Sequence, residues 1–410
     1  MPIVTIFSGA YCHEEEVVGK VVADLGYRLV NDEAVIAQTA SRYAVDEEKL
    51  RKAVMGKASI FNKFTHEKER SLAHLEVTVA DMLREDNLLF SGYLGFMIPR
   101  EISHVLKVCL IADIKYRTKN AAQSLNESER DAARRIHKDD ESRVLWTEYL
   151  MKNKDPWAAG LHDIVIPMDK QTASSAASLI VENARKPVLR VTDNSRAAVE
   201  DFILAAGVKF RLAEEGHYVS VSANNGNVVI TIEKNVLMLS SLEEELKRIV
   251  GALPRVRSVE TRVGAGYYQN DIYRKFDFDV PLPTKVLLVD DEREFVQTLS
   301  ERLQMRDVGS AVVYDGQEAL DVMNEEEPEV MVLDLKMPGI DGIEVLRRVR
   351  DEHPNVEVIV LTGHGSEEIR RQCLEMGACA YLEKPVDIET LTRTMKEAYE
   401  RIRSSGVQRK

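Results

Sequence analysis

The stretch Val286-Leu287-Leu288-Val289-Asp290-Asp291-Glu292 sets four continuous apolar residues directly against three carboxylates. Similar runs follow. Val330-Met331-Val332-Leu333 ends on Asp334, Val358-Ile359-Val360-Leu361 ends on Thr362, and Ala380-Tyr381-Leu382 leads to Glu383 and Lys384. Ala311-Val312-Val313-Tyr314 is a weaker run, and amphipathic stretches at 342–351 and 388–402 alternate with the apolar ones. Continuous apolar strands separated by helices predict a parallel sheet covered on both faces. The polar residues at the strand ends then share the crevice outside the carboxyl edge, where open α/β sheets bind ligands. Asp290, Asp291 and Asp334 converging there would repel, and one would hold its proton unless a cation intervenes. A hard divalent ion with oxygen ligands, Mg²⁺ above all, resolves the conflict.

Four motifs in order, Leu288-Val289-Asp290-Asp291-Glu292, Leu333-Asp334-Leu335-Lys336-Met337-Pro338-Gly339, Leu361-Thr362-Gly363 and Glu383-Lys384-Pro385, resemble those of response-regulator receiver domains across 284–403. The resemblance implies a flavodoxin-like, doubly wound, five-stranded parallel sheet. It makes Asp334 the phospho-acceptor, a carboxylate nucleophile serving a histidine kinase. It also implies Mg²⁺ held by Asp290, Asp291, Asp334 and the main-chain carbonyl of Lys336, with Lys384 neutralising phosphoryl charge. Thr362 would engage the new phosphoryl oxygens and Tyr381 would turn inward as a switch, a local charge event read by a two-state element. A homodimer through the face near Tyr381 and an unnamed downstream protein complete the implied partners.

Upstream of a stiff Pro281-Leu282-Pro283 connector the chain alternates again. Strands are predicted at 3–7, 88–91, 105–112 and 163–167, helices at 17–25, 127–138 and 173–184, with a long helical insert between Asp32 and Asp86. Ile111-Ala112-Asp113-Ile114-Lys115-Tyr116-Arg117, Asp140-Glu141-Ser142-Arg143 and His162-Asp163-Ile164-Val165-Ile166 make 1–186 resemble the cytidylate-kinase-like family of P-loop proteins. That likeness implies that Arg117 and Arg143, with Asp140, contact nucleotide phosphates, work suited to guanidinium forks. Asp113, Asp140 and Asp163 equally fit capping or ion-pair roles. The first loop departs from the pattern, because Ser8-Gly9-Ala10-Tyr11-Cys12-His13-Glu14-Glu15-Glu16 keeps one glycine and has no GK[ST]. A phosphate cradle needs glycine amides and a basic residue. Three glutamates at a helix start place fixed negative charge where a phosphate should sit. Lys20, a turn beyond, reads as surface. The segment therefore reads as a lapsed kinase fold, with a receiver-regulated, ATP-dependent CMP kinase as the alternative.

From 187 to 280 the texture changes to a small α+β module: a helix at 196–206, strands at 218–222 and 228–233 joined through Asn225-Gly226, a helix at 242–250 and a strand at 258–263. Val219–Ile230 and Leu253–Val259 resemble BON-type modules, which implies an interaction or spacer role. Arg255, Arg257 and Arg262 form a small basic patch there, which reads first as a solvated face.

Composition narrows the function classes. The 410 residues carry 55 Lys and Arg against 68 Asp and Glu, a formal charge of -13. From Thr284 onward there are 17 Lys and Arg against 27 Asp and Glu, so most of that deficit lies in the last third. An acidic chain is a poor non-specific binder of nucleic acid or anionic membrane. Four cysteines without CxxC spacing and nine histidines without HxxxH or HExxH spacing argue against a disulfide framework and a zinc site. Cys12 in the altered loop is weighed as a reactive thiol against an inert one, and His364 beside the acidic pocket as a tuner of phosphoryl lifetime against a loop residue. The start at Met1–Ile6 reads as a strand and not a signal peptide, which predicts a cytoplasmic protein with no membrane span. Residues 404–410 read as a disordered tail.

Overall fold

The computed structural model describes residues 2–56, 59–234, 236, 239–265, 267, 282–306, 308–363 and 365–407. The expectations on Pro281, His364 and residues 408–410 lie outside that set. The chain divides into two compact units: Met1–Ala58 with Glu67–Arg274, and Ser59–His66 with Lys275–Lys410.

The first unit begins β1 (Ile3–Ser8), α1 (Glu14–Leu25), β2 (Arg28–Asn31), α2 (Asp32–Tyr43) and α3 (Glu47–Met55). A short helix α4 (Asn62–Thr65) belongs to the second unit. The first resumes with α5 (Glu67–Met82), β3 (Leu88–Ser91), β4 (Val105–Ile111), α6 (Ile114–Leu125), α7 (Glu129–Met151), β5 (Ile164–Pro167) and α8 (Ala173–Ala184). Its sheet is parallel throughout, in the order β2-β3-β1-β4-β5. Alternation along each strand divides the core. Ile3, Phe7, Leu88, Phe90 and Cys109 face one apolar cluster, and Val4, Ile6, Leu89, Val108 and Leu110 face the other.

The module that follows is α9 (Asp193–Glu214), β6 (Ser220–Asn224), β7 (Asn227–Ile232), α10 (Leu239–Gly251) and β8 (Ser258–Val263), with β6 antiparallel and β8 parallel to β7. Lys186-Pro187 falls inside the first unit. Helix α9 runs well past the 196–206 expected and serves two cores: Val199, Phe202, Ile203 and Ala206 join the cluster of the N-terminal sheet, while Val208 and Leu212 join that of the three-stranded sheet. Arg255 pairs with Glu200 and Arg262 with Glu260, so two of the three basic-patch arginines are neutralised locally.

The second unit continues with β9 (Val286–Val289), α11 (Arg293–Gln304), β10 (Ser310–Val313), α12 (Gly316–Glu325), β11 (Val330–Leu333), α13 (Gly342–Glu352), β12 (Glu357–Thr362), α14 (Glu367–Glu375), β13 (Ala380–Glu383) and α15 (Ile388–Val407). Its sheet is all parallel, as the apolar runs predict, and ordered β10-β9-β11-β12-β13, the doubly wound order that the receiver resemblance implies. Leu287, Val289, Met331, Leu333, Val358 and Val360 face the α12/α13 side, and Val286, Leu288, Val330, Val332, Ile359 and Leu361 face α11 and α15. Burial on both faces explains why these strands read as unbroken apolar runs. Helix α15 extends through Val407 into the segment expected to be a tail, and the Ser404 hydroxyl donates to the Glu400 carbonyl at 2.7 Å. Among the described residues no helix is long and apolar enough to cross a membrane.

Candidate functional site

Backbone bonds beyond the strand ends gather the acidic pocket. The Asp290 N–H donates to Val313, Asp334 to Val289 (2.9 Å) and Lys384 to Thr362 (2.9 Å), so one carboxyl edge carries all three. Asp290 and Asp334 are buried, at 4% and 5% exposure. Lys384 Nζ lies 2.7 Å from Asp290 Oδ2, 3.0 Å from Asp334 Oδ2 and 3.2 Å from Glu292 Oε1. It also sits 4.5 Å from the centroid of the Phe295 ring, which adds a cation–π contact. The other Asp334 oxygen, Oδ1, accepts from the N–H groups of Leu335 (2.7 Å) and Lys336 (3.4 Å), and Asp290 Oδ1 accepts from the Glu292 N–H.

Burial pushes the Asp290 carboxyl up, a shift that the Lys384 and Glu292 hydrogen bonds only partly offset. Burial alone would lower the Lys384 ammonium, but its bonds to Asp290 and Asp334 outweigh that and hold it above its ordinary value. One oxygen each from Asp290, Glu292 and Asp334 lie within 4.8 Å of one another. A single ammonium facing three hard oxygen donors leaves the pocket short of positive charge, and this donor set fits Mg²⁺ or Ca²⁺.

Asp290, Asp334, Thr362 and Lys384 all meet at this edge, and Thr362 is fully buried. Asp291 is exposed and outside the trio, whose third member is Glu292, and the Lys336 side chain is also exposed. Glu292 and Phe295 are the contacts that motif reasoning passed over. Tyr381 lies inside, in the apolar cluster with Cys373 and Ala378, its hydroxyl packed where a Cβ on Gly365 would collide. Among the described residues that hydroxyl has no hydrogen-bond partner. At Gly342 a Cβ would collide with the Asp334 carbonyl, so glycine is what lets α13 start against the acceptor loop.

The N-terminal loop is a second convergence, closed on itself. Tyr11 and His13 are left-handed (φ 62° and 57°) and turn the chain into α1. Arg143 Nε donates to the Ser8 carbonyl at 2.8 Å and Arg117 Nε to the Ala10 carbonyl at 2.9 Å. The Arg117 fork also holds Asp140 at 2.7 and 2.9 Å. Both arginines are buried and committed to the loop and its neighbours. Glu14 accepts a 2.5 Å bond from Ser91, and burial raises its pKa. Asp113 caps α6, Asp163 accepts from the Lys107 N–H, and Lys20 pairs with Glu16 at the surface. Burial pushes the Cys12 thiol up to about 11, which leaves it inert.

Asp32 anchors this end of the sheet by accepting from the N–H groups of Tyr93 (2.8 Å) and Leu94 (3.0 Å), beside Gly92 at φ 121°. Burial pushes its pKa up to about 6 despite those two bonds. A carboxyl raised on folding contributes stability that is full below its unfolded pKa and lost as pH rises through its folded one. The first unit should therefore lose about 3 kcal/mol between pH 4 and pH 6 from this group. Urea denaturation across that range measures it, and Asp32→Asn should flatten the slope.

Residues 286–396 match the family described as response regulator receiver domain, and residues 3–170 match the cytidylate kinase-like family. The chain is 33% identical over 113 residues to sporulation initiation phosphotransferase F of Bacillus subtilis (strain 168), covering 28% of this chain and 91% of that protein. It is 36% identical over 115 residues to response regulator MprA of Mycolicibacterium vanbaalenii, covering 28% of this chain and about half, 50%, of that relative's length. Among solved structures, the Francisella response regulator 1452 receiver domain is 33% identical, with 28% of this chain and 97% of that one covered and a TM-score of 0.28.

Proposed function

Because this chain belongs to the response regulator receiver family, we propose that it accepts a phosphoryl group on Asp334 from a histidine kinase and relays that state through protein contacts in the cytoplasm. The observation that carries this reading is the Asp334 carboxylate itself, buried, gripped on one oxygen by backbone N–H groups and on the other by Lys384. In the transfer, an Asp334 oxygen bonds to phosphorus as the donor's P–N bond breaks, and the leaving imidazole takes up a proton. Lys384 stays charged throughout and faces the negative charge carried by the incoming group. Asp290, Glu292 and Asp334 would hold Mg²⁺, which supplies charge neutralisation for the transferring phosphoryl. Thr362, at the end of β12, and Tyr381, packed beside Gly365, are the elements proposed to respond.

Acetyl phosphate with Mg²⁺ is expected to label the wild-type chain and not Asp334→Asn, because an amide forms no acyl phosphate. Equal labelling of both would overturn the acceptor assignment.

The N-terminal segment reads as a kinase fold that has lost turnover, supported by Arg117 and Arg143 being spent on loop carbonyls. The 187–280 module reads as a BON-like spacer or interaction element.

A further inference from the structure

The second unit is discontinuous in sequence. Besides 275–410 it contains Ser59–His66, eight residues whose sequence neighbours on both sides belong to the first unit. Phe61 is fully buried within the apolar cluster that holds Ala311 and Val313 of β10 and Ala319, Leu320 and Met323 of α12. Phe64, also buried, lies over Gly309, where even a Cβ would collide with its side chain. The turn of α4, with the Phe64 and Thr65 N–H groups donating to the Phe61 carbonyl (2.8 and 3.0 Å), puts both rings on one side. β10 is an edge strand, and an edge of unpaired backbone is normally shielded. Ser310, Ala311 and Val313 are indeed buried. Leu333, Leu335 and Met337, which bracket Asp334 in sequence, belong to the same packed cluster as Phe61.

We infer that residues 59–66 are a strap that completes the phospho-acceptor unit at its β10 edge, with Phe61 as the anchor and Gly309 as the seat for Phe64. The receiver-like unit is then built from two separated stretches of the chain. Its core extends from the acceptor loop to a segment inserted from the N-terminal half.

The test is hydrogen exchange on the full chain, which does not depend on the pocket's function. Phe→Ala in a core removes stabilisation on the scale of several tenfold steps in an opening equilibrium. Phe61→Ala should therefore speed exchange in peptides covering β10 and α12 by at least about tenfold, with the β1 and β4 peptides unchanged. The milder Phe61→Leu should give the same pattern at smaller amplitude. Faster exchange confined to first-unit peptides, or none in residues 310–325, would overturn the strap.

A second reading rests on the proposed pocket: Mg²⁺ with beryllofluoride should raise one melting transition, and Phe61→Ala should lower that transition. A wild-type chain with no responsive transition would count against the phosphoryl reading, while the exchange result still decides the strap.

Discussion

Exchanging Lys384 for methionine should cut Mg²⁺-dependent labelling of Asp334 by about 10²–10³-fold, the usual cost of removing one preorganised charge donor from a transfer site. Among the described residues Lys384 is the one cation bonded to Asp290, Glu292 and Asp334. Without it three carboxylates, Asp290 and Asp334 buried and Glu292 exposed, share one edge, and the Asp290 pKa, raised already by burial, loses the partner that restrains it. The nucleophile then shares its site with neighbours that hold protons or repel the incoming phosphoryl. Methionine preserves much of the apolar stem and loses both the ion pairs and the cation–π contact of Nζ over Phe295, so loss of charge dominates. The variant should also gain more melting temperature from added Mg²⁺ than the wild type does, because the ion then stands in for the missing ammonium. Undiminished labelling would show that Lys384 is a structural tie alone.

The second large effect concerns Arg117. If its guanidinium holds the loop and Asp140 together, Arg117→Met should cost the first unit about 3–5 kcal/mol, the range for breaking a buried ion pair at one partner. Asp140 is partly exposed, which places the expectation at the lower end. Arg117→Lys should rescue little, because a point-charge ammonium cannot reproduce the two-pronged bond to Asp140 together with the bond to the Ala10 carbonyl. Urea denaturation reads the loss, and ATP titration of the wild type and Arg117→Lys should show no difference in affinity. Unchanged stability with a lost ATP affinity would make Arg117 a phosphate ligand and restore the CMP-kinase alternative.

The receiver sheet was legible because its strands are buried on both faces, so each shows as a bare apolar run ending on a polar residue. β2 was missed for the opposite reason. It is an edge strand with Val30 as its one buried residue, and Arg28-Leu29-Val30-Asn31 carries neither a run nor an alternation. Helix α9 outran its expected end because Gly207 lies inside the helix and did not break it.

The site divides in the same way. Asp290, Asp334 and Lys384 follow from strand ends, whereas the approach of Glu292, not Asp291, to the other two carboxylates depends on the turn after β9. There the Glu292 N–H closes onto Asp290 Oδ1, and strand alternation no longer predicts direction. Arg117 and Arg143 stand out in the sequence as cations, but sequence shows a cation without showing its partner, which here is Asp140 and the loop carbonyls. Phe61 and Phe64 looked like ordinary apolar residues of a helical insert. Their role depends on contacts with a glycine and an edge strand more than two hundred positions away.

The carboxyl edge of the second sheet is proposed to hold a divalent cation beside a carboxylate that takes up phosphate. A crystal of the full chain grown with magnesium and beryllofluoride tests it most directly. The expected result is beryllofluoride density bonded to an Asp334 oxygen, the cation ligated by Asp334, Asp290 and Glu292, and the Lys384 ammonium turned onto a fluorine. An edge that stays free of both under saturating conditions, with Lys384 still bridging Asp290 and Asp334, would contradict it.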